Sequence, residues 1–500
     1  MSDASSLRAG ASAVRPLMRG DTLFASCLVA VFVAGWLYLS PSGPHTADVS
    51  WLIQAADRML SGDRLYVDVW ESNPPFSVWL YLPMAALEHA TGLRAEVWTS
   101  IAMFVALAGA LAMTARIAHI SDLWARTDRQ ILLLAAAIAV LFVSPAQFGQ
   151  REQFGVIGAL PFLTVIAARI DARSVPIAYA LAAGLLGGVI MLVKPHYCLG
   201  YGAALLGLMV KTRAARPHPE IIAAACLVIA YAFVALWLHP EYVSDVLPVM
   251  VDTYLGRRNP SPSVWIYATF AVAPLALLRK TDFSSAAVLA FAAASIGFLA
   301  SYVVMGKGWT YHLIPSATFA LLAAAAAAMA RRQRGANGEA VMALVAGVAM
   351  LGAMAALYGP RPAIERPITG YLKGFSAQPR LAVLSTDIDV GNPLARAINA
   401  SWTERDNADY IPAFAAFAAR SASEPQRAQF DGYFREGLDR QFAYIASEKP
   451  DILILEPDDA WPGLVAAEPR YANMIDHYSA WMCDVTLVAF VRNDHFGAPS

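Results

Sequence analysis

Long apolar runs separated by short polar segments dominate the chain up to Tyr358. The runs cover residues 23–39 and then approximately 74–91, 97–118, 130–146, 155–170, 177–193, 197–210, 221–238, 263–278, 284–305, 313–330 and 340–358. Apolar runs of about seventeen or more residues predict helices that cross a membrane. We therefore expect roughly eleven to thirteen transmembrane helices over residues 1–358.

The pattern changes after Tyr358. Residues 359–500 contain separated charges, prolines and polar turns, with β-like runs at 381–385, 451–457 and 486–492 around helical stretches at 409–420 and 427–447. The fold class predicted is an all-α polytopic membrane domain (1–358) followed by a small extramembrane α/β domain (359–500). The second domain contains neither G-x-G-x-x-G nor a P-loop, so no nucleotide or nucleic acid is expected, and a lid or acceptor-guiding role is the more economical reading.

Composition agrees with a membrane protein. Of 500 residues, 58% are hydrophobic and 15% are charged, and the formal net charge of −1 says little because charge is divided among the loops. The four cysteines are scattered and suggest neither a disulfide framework nor a zinc site. The run at 23–39 is longer than a signal-peptide core and lacks a small-residue cleavage site, which indicates a retained helix.

Basic residues predict the orientation in a bacterial-style inner membrane. Arg8, Arg15 and Arg19 place the N-terminus in the cytosol and the loop at 40–75 outside. Basic loops at 119–129, 169–174, 211–220, 277–282 and 330–335 are expected in the cytosol, and loops at 148–153, 193–197, 239–263 and 306–312, with the C-terminal domain, in the periplasm. Two crossings between residues 75 and 118 would contradict this order. One segment there must be re-entrant, or the chain must cross an uneven number of times.

A polar stretch directly after the first run, residues 45–76, carries the first candidate site. Its sequence is HTADVSWLIQAADRMLSGDRLYVDVWESNPPF, and the apolar residues of its first half recur at helical spacing, which predicts a surface helix ending near Gly62. Asp48 falls at the helix start, where free N–H groups and the helix dipole stabilise an ionised carboxylate. The alternative is a helix cap without chemistry. A second acid, Glu71, precedes Pro74 and Pro75, which stiffen the entry into the next segment.

An acid after the first span, a surface helix A-x-R-M-L-x-G-D and an aromatic-acid-x-x-Pro-Pro entry together resemble the first external loop of GT-C glycosyltransferases. The likeness is greatest to the protein O-mannosyltransferase and lipid A aminoarabinose transferase branch. It implies that Asp48 is the catalytic carboxylate and that the donor is a sugar linked to polyprenyl phosphate. Aminoarabinose transferases have a phosphate-contacting Lys after the loop glutamate, whereas Ser72 and Asn73 stand here. Phosphate contacts must therefore come from other loops.

Two external loops in the middle of the chain offer such contacts. Arg151 and Glu152 lie at a membrane edge, where Arg can bind phosphate in a bidentate manner and Glu can orient it or contact sugar hydroxyls. Lys194 and His196 end one span and begin the next. The alternatives are an Arg–Glu pair that only caps a helix and a lysine that snorkels to the interface.

Later external loops add further candidates. Arg257 and Arg258 are basic on the side where basic residues are under-represented, which favours an anionic ligand. Lys307, Tyr311 and His312 lie in a Gly-rich segment similar to the late loop that contacts the lipid-phosphate donor in aminoarabinose transferases. An interfacial aromatic belt is the alternative. No metal-ligand cluster and no certain cofactor are evident, and a divalent cation stays an open option.

The function predicted is sugar transfer at the outer face of the membrane. Asp48 would take a proton from an acceptor hydroxyl, basic side chains would stabilise the leaving phosphate, and Glu71 would orient the acceptor or bind a cation. The resemblance implies inversion at the anomeric carbon, with membrane lipids and a glycan, lipid or protein acceptor as further partners. A transporter or flippase for a lipid-linked or anionic substrate is the alternative, although the charges cluster at span ends rather than mid-span. A third possibility is a polymerase or ligase that transfers whole glycans from a pyrophosphate carrier, because such an enzyme needs the same kinds of residues in its site.

Overall fold

The computed structural model describes residues 4–40, 44–214, 216–358, 367–402, 404–483 and 486–496. The first part of the chain is helical. Its helices are α1 (Ala4–Leu39), α2 (Ala47–Leu60), α3 (Phe76–Trp79), α4 (Leu82–Thr91), α5 (Ala95–Ile120), α6 (Arg126–Phe142), α7 (Arg151–Ile170), α8 (Ile177–Val193), α9 (Cys198–Thr212), α10 (Pro219–Leu238), α11 (Leu247–Met250), α12 (Ser263–Val272), α13 (Ala286–Met305), α14 (Ile314–Gln333) and α15 (Asn337–Leu357).

Among the described residues, seven helices are long and apolar enough to cross a membrane: α1, α5, α7, α10, α13, α14 and α15. The shorter apolar helices α6, α8, α9 and α12, the last extended by the turn Ala273–Leu277, complete a bundle of eleven. Helices α7 and α14 lie at its centre, because 94% of the residues in the most apolar stretch of each are buried. In α1 and α10 only 11% of the corresponding residues are buried. The prediction of a polytopic helical membrane domain is therefore confirmed.

The segment at 74–91 does not form a transmembrane helix. It folds into α3, of four residues, and α4, of ten residues. At 1.5 Å per residue the longer of the two reaches about 15 Å, half the thickness of the hydrocarbon core. Within residues 75–118 only α5 is therefore long enough to cross, which is the uneven number of crossings that the loop pattern allowed. With this segment at the surface, the predicted inner and outer loops alternate without conflict along the eleven apolar helices.

Small residues let the central helices approach closely. A Cβ at Gly187 of α8 would meet the Phe162 side chain of α7 at 2.6 Å, and a Cβ at Gly158 would meet the Leu186 backbone. Close backbone approach is how membrane helices gain packing energy, because lipid supplies little hydrophobic drive for association. The tight contact of α7 with α8 brings the start of α7 and the end of α8 to the same edge of the bundle.

The C-terminal part contains a four-stranded sheet of order β1-β2-β4-β3. Its elements are α16 (Pro367–Leu372), β1 (Leu381–Leu384), α17 (Gly391–Ile398), α18 (Tyr410–Ala419), α19 (Glu424–Glu448), β2 (Ile452–Leu455), α20 (Ala460–Ala466), α21 (Arg470–Ile475), β3 (Tyr478–Cys483) and β4 (Val488–Arg492). Strands β1 and β2 are parallel, and β4 is antiparallel to both β2 and β3. The predicted runs correspond to β1, β2 and β4, while β3 was missed. The linker that would carry the domain boundary, 359–366, lies outside the described residues.

The C-terminal domain packs on the segment that contains α2 and α4. One hydrophobic cluster includes Trp51 and Ile53 of α2 together with Leu394 of α17 and Trp402. At its margin Arg396 forms ion pairs of 2.9 Å with both Glu88 and Glu96. The surface helix predicted after the first span is thus buried between the bundle and the C-terminal domain.

Candidate functional site

A cavity of about 730 Å³ lies where the C-terminal domain meets the bundle. Eight separate segments of the chain contribute to its wall: 47–52, 70–74, 147–151, 193–196, 242–255, 305–312, 386–389 and 406–414. Most of them are the loops that the basic-residue pattern assigns to a single side of the membrane. A volume of this size is typical of sites for small molecules.

Asp48 lies in the cavity wall on the first turn of α2. Thr46 caps the helix by accepting a hydrogen bond from the Val49 N–H at 3.5 Å, so Asp48 is a first-turn residue rather than the cap itself. Gln150 Nε2 donates to Thr46 Oγ1 at 3.0 Å and to Asp48 Oδ2 at 3.4 Å. The helix N-terminus stabilises the carboxylate, and Gln150 holds its orientation.

Glu71 also lines the cavity, but its carboxylate is occupied by neighbouring donors. It accepts hydrogen bonds from Trp51 Nε1, from the Asn73 N–H at 2.7 Å and from Asn73 Nδ2 at 2.5 Å. The residue is buried. These bonds join α2 to the turn before Pro74. Glu71 therefore holds the turn against the helix.

Arg151 begins α7 and faces the cavity from the bundle side. The preceding turn requires Gly149, whose φ of +87° is unfavourable for other residues and which packs against the ring of His45. Arg151 is buried, and its Nε and Nη1 atoms have no hydrogen-bond partner among the described residues. Unpaired guanidinium donors in a buried wall are suited to an anionic ligand.

Lys194 follows the end of α8 and lies beside the same acid as Arg151. Glu152 pairs with Lys194 Nζ at 2.7 Å and with Arg151 Nε at 3.7 Å. Burial lowers the pKa of Lys194 to about 8, although the charge of Glu152 opposes this shift. The two cations therefore share one carboxylate, and the group of three carries a net positive charge when Lys194 is protonated.

The predicted residues of the 306–312 loop are divided between two environments. Tyr311 and His312 line the cavity: the Tyr311 ring lies 4.7 Å from Lys194 Nζ, and His312 Nε2 contacts the same ammonium group. His196 lines the cavity as well, and burial lowers its pKa to about 4. The imidazole of His196 is therefore neutral near pH 7.

Lys307, Arg257 and Arg258 are not part of the cavity wall. Lys307 Nζ donates to the backbone carbonyls of Tyr254, Leu255 (3.5 Å) and Arg257 (2.7 Å). Arg258 Nη1 donates to the Val303 carbonyl at 3.0 Å, and the Arg257 guanidinium lies 4.1 Å from the Phe414 ring centroid. The structure does not bring these three with Arg151 and Lys194, and their contacts hold loops.

Sequence reasoning did not identify the part of the cavity that the C-terminal domain supplies. Residues 386–389 follow β1, and residues 406–414 include the start of α18. Residues 386–389 could have been found from the sequence, because they directly follow a β-like run. Ligands of α/β folds often bind at the carboxyl ends of parallel strands. The 406–414 segment offered no comparable motif.

No group of three or more His, Cys, Asp or Glu side chains in the described part of the chain is arranged to hold a metal ion. Of the carboxylates in the wall, Glu71 is engaged with Trp51 and Asn73, and Asp48 with Gln150. Chemically, the arrangement offers carboxylates, two buried cations and polar side chains around one cavity.

No family model and no curated protein match this sequence. Among solved structures, the crystal structure of ArnT from Cupriavidus metallidurans in the apo state is similar, with a TM-score of 0.56 and 12% sequence identity over 97% of this chain and 100% of that chain. At this identity the likeness concerns the fold, and its coverage includes both the bundle and the C-terminal domain. The chain therefore shares its fold with ArnT, in agreement with the resemblance noted for residues 45–76.

Proposed function

We propose that this protein is a membrane glycosyltransferase that moves a sugar from a polyprenyl-phosphate donor to an acceptor hydroxyl. The observation that carries the proposal is a single cavity that holds Asp48 together with Arg151 and Lys194. The fold supports it, because the similar structure is that of ArnT, a lipid A aminoarabinose transferase of the GT-C type. A base and a paired cationic site are the two elements that sugar transfer from a phosphate requires.

Asp48 acts as the base. Its carboxylate takes the proton of the acceptor hydroxyl while the acceptor oxygen forms a bond to the anomeric carbon. The bond between the anomeric carbon and the phosphate oxygen breaks at the same time, and the electron pair leaves with the lipid phosphate. A displacement in one step from the face opposite the leaving group inverts the anomeric configuration.

Arg151 and Lys194 stabilise the charge that develops on the leaving phosphate. Arg151 presents two buried donors that form no hydrogen bond with any described residue, and Lys194 presents an ammonium group held by Glu152. Because these groups are fixed before the reaction in a wall with little water, they stabilise an anion more strongly than the same charges would in solution. In aminoarabinose transferases a lysine of the first external loop contacts the phosphate, and this chain has Ser72 and Asn73 at that place. Arg151 and Lys194 take the role of that lysine.

Glu71 is a positioning residue in this scheme rather than a group that reacts. Its contacts with Trp51 and Asn73 keep α2 and the turn before Pro74 at a constant distance, which holds Asp48 toward the cavity. We further propose that the cavity lies at the outer face, since the basic loops lie at the opposite ends of the same helices. There a polyprenyl chain remains in lipid while its sugar phosphate enters the cavity.

The decisive experiment compares Asp48→Asn with Asp57→Asn in the purified protein. Asp57 lies on the same helix but pairs with His89 outside the cavity wall, so it is a matched control. We expect Asp48→Asn to reduce transfer from polyprenyl-phosphate sugars by about 10²–10⁴-fold, the usual contribution of a general base, and Asp57→Asn to leave it unchanged.

Mass spectrometry of cell-envelope glycans from cells with wild type or Asp48→Asn identifies the sugar and the acceptor by the component that disappears. Intact donor after incubation of wild type with envelope acceptors would contradict the proposal. Movement of the lipid-linked sugar across a vesicle membrane without its cleavage would point to a flippase instead.

A further inference from the structure

Aromatic side chains form a large part of the cavity wall. Eight line it: Trp51, Trp70, Tyr242, Tyr254, Trp309, Tyr311, Tyr410 and Phe414. Four of these pack on one another and form what we call the aromatic wall, defined as Tyr254, Trp309, Tyr410 and Phe414. Tyr254 is its centre, with ring centroids 6.0 Å from Trp309, 6.0 Å from Tyr410 and 6.5 Å from Phe414.

The rings of the aromatic wall contact cations that lie outside the cavity lining. Lys307 lies 4.0 Å from the Tyr254 ring centroid and Arg257 lies 4.1 Å from that of Phe414, so two cations support the rings from outside the cavity lining. Trp309 remains 40% exposed. An aromatic surface that is held in place can bind an apolar ligand face without losing much side-chain entropy.

Charge is distributed unevenly between the two sides of the cavity. Both cations of its wall, Arg151 and Lys194, come from the bundle. The C-terminal domain contributes Asp387, Asp389 and Asp406, and none of its described residues that line the cavity is Lys or Arg. On the bundle side the two cations are matched in formal charge by Asp48 and Glu71, and Asp406 on the other side is paired with Arg440 at 3.2 Å. The lining from the C-terminal domain is still the more acidic of the two, so an anion is favoured beside Arg151 and Lys194 rather than next to the C-terminal domain.

The polar residues on the side of the C-terminal domain are held by its own framework. Thr386 Oγ1 donates to Asp459 Oδ1 at 2.8 Å, and the Asp387 N–H donates to Ser385 Oγ at 2.8 Å. Asn392 Nδ2 donates to Asn407 Oδ1 at 2.9 Å, which orients the Asn407 amide. Such support is typical of side chains that bind a ligand rather than solvent.

We propose that the aromatic wall and the neighbouring polar residues of the C-terminal domain bind a pyranose ring of a neutral carbohydrate acceptor. A pyranose has a face of C–H bonds, which is buried on an aromatic ring, and a rim of hydroxyls, which are bound by carboxylates and amides. The inference rests on the proposed function and narrows its acceptor to a glycan hydroxyl, as opposed to a phosphate group. Gln150 Oε1, which is buried in the same wall next to Asp48 and accepts no hydrogen bond from the residues that the structure describes, supplies a further acceptor for a sugar hydroxyl.

The test is saturation-transfer NMR on the intact protein in lipid nanodiscs. The probes are methyl glucopyranoside, galactopyranoside and mannopyranoside, with glucose 6-phosphate as the anionic comparison. We expect transfer to the ring C–H protons of at least one methyl pyranoside, at least threefold above that to glucose 6-phosphate. Trp309→Ala should reduce the signal at least fivefold, whereas Trp309→Phe retains most of it.

Trp481→Ala is the matched control, because Trp481 is an exposed tryptophan of the C-terminal domain outside the cavity wall. If Trp309→Ala fails to fold, Phe414→Leu serves as the second variant on the aromatic wall. Asp389→Asn removes one acid from the cavity wall and should raise the signal of glucose 6-phosphate at least twofold. Equal or stronger contact with glucose 6-phosphate in wild type, or no contact with any pyranoside, would overturn the inference.

The two proposals can fail separately. Asp48→Asn abolishes transfer under the proposed function but should leave pyranoside contact within twofold of wild type. Consumption of donor by wild type without pyranoside contact would refute the carbohydrate subsite alone. Pyranoside contact without any donor consumption would refute the transferase reaction.

Discussion

The two ends of the helical bundle use the same charged residue types in opposite ways. At the end away from the cavity, three of the described acids are fully buried, and each is bound by at least one arginine. Asp282 receives Arg331 Nη2 and Arg334 Nη2, both at 2.6 Å. Glu220 receives the two-pronged guanidinium of Arg169 at 3.1 and 3.2 Å, and Asp128 receives Arg332 at 2.5 Å and Gln333 at 2.8 Å.

At the cavity end the basic groups outnumber their acidic partner. Arg151 and Lys194 share Glu152, and Arg151 keeps two donors without a partner among the described residues. A buried charge whose hydrogen bonds are incomplete reduces stability, whereas a completed pair holds its elements together. The comparison indicates that the ion pairs at the far end stabilise the fold, whereas the charged groups at the cavity end are suited to a ligand.

The largest expected difference between the two ends is in the free energy of unfolding. Arg331→Gln leaves Asp282 buried beside a single remaining arginine, and we expect the free energy of unfolding to fall by about 3–5 kcal/mol. Turnover per folded molecule should stay at the wild-type value. Denaturation in mixed micelles and an activity assay on the same sample check both points, and a loss of turnover in the folded fraction would contradict the division between the ends.

The same substitution at the cavity end should give the opposite result. Arg151→Gln removes the two unpaired donors, and we expect kcat to fall by about 10²-fold, as for the loss of one preorganised donor to a developing anion. Those donors form no hydrogen bond with the described residues, and Glu152 keeps Lys194 as its nearer partner at 2.7 Å when Arg151 is lost. The loss of stability should therefore be smaller than for Arg331→Gln. Steady-state kinetics and thermal unfolding compare the two variants, and a stable, fully active Arg151→Gln protein would refute the anion site.

Lys194 makes the anion site sensitive to pH. Its pKa of about 8 means that the ammonium loses its proton above that pH, so phosphate binding weakens as pH rises. We expect kcat/KM for the donor to fall roughly fivefold between pH 8 and 9, in proportion to the protonated fraction. Lys194→Arg should remove this decline because a guanidinium remains charged, and an unaltered pH profile in that variant would assign the titration to another group.

The smallest effect concerns Glu71. Glu71→Gln keeps one oxygen for the Trp51 and Asn73 donors but loses the charge, and we expect a stability loss of about 1–3 kcal/mol with kcat reduced roughly threefold. Thermal unfolding and kinetics with saturating substrates measure the two quantities. A hundredfold loss of kcat at unchanged stability would show that Glu71 acts on the substrate.

Much of the fold follows from local pattern. Apolar runs of bilayer length specify the membrane helices, because backbone groups in lipid must be satisfied within each helix. Alternation of basic loops indicated that residues 75–118 could not cross the membrane twice, but it did not show which segment fails to span. Strand β3 was missed because its buried pattern is irregular, with exposed residues along most of an edge strand.

Position along the chain also identified part of the site. Asp48 and Arg151 are polar residues at the starts of helices beside apolar runs, and such residues at a membrane edge need a partner or a ligand. Local pattern did not distinguish Lys194, which lines the cavity, from Lys307, whose ammonium binds backbone carbonyls. Both lysines occur in short loops at span ends, and only the path of the backbone around each one separates their roles.

The sequence by itself indicated the membrane class, the change to an α/β pattern after Tyr358 and the position of Asp48 at a helix start, since each depends on periodicities within a few turns of chain. Only the tertiary structure decided which basic residues face Asp48 and which merely support loops. It alone brought the 386–389 and 406–414 segments to the cavity, because their distance from residue 48 in the chain contains no information about packing. The division of charge across that cavity is therefore a property of the assembled fold.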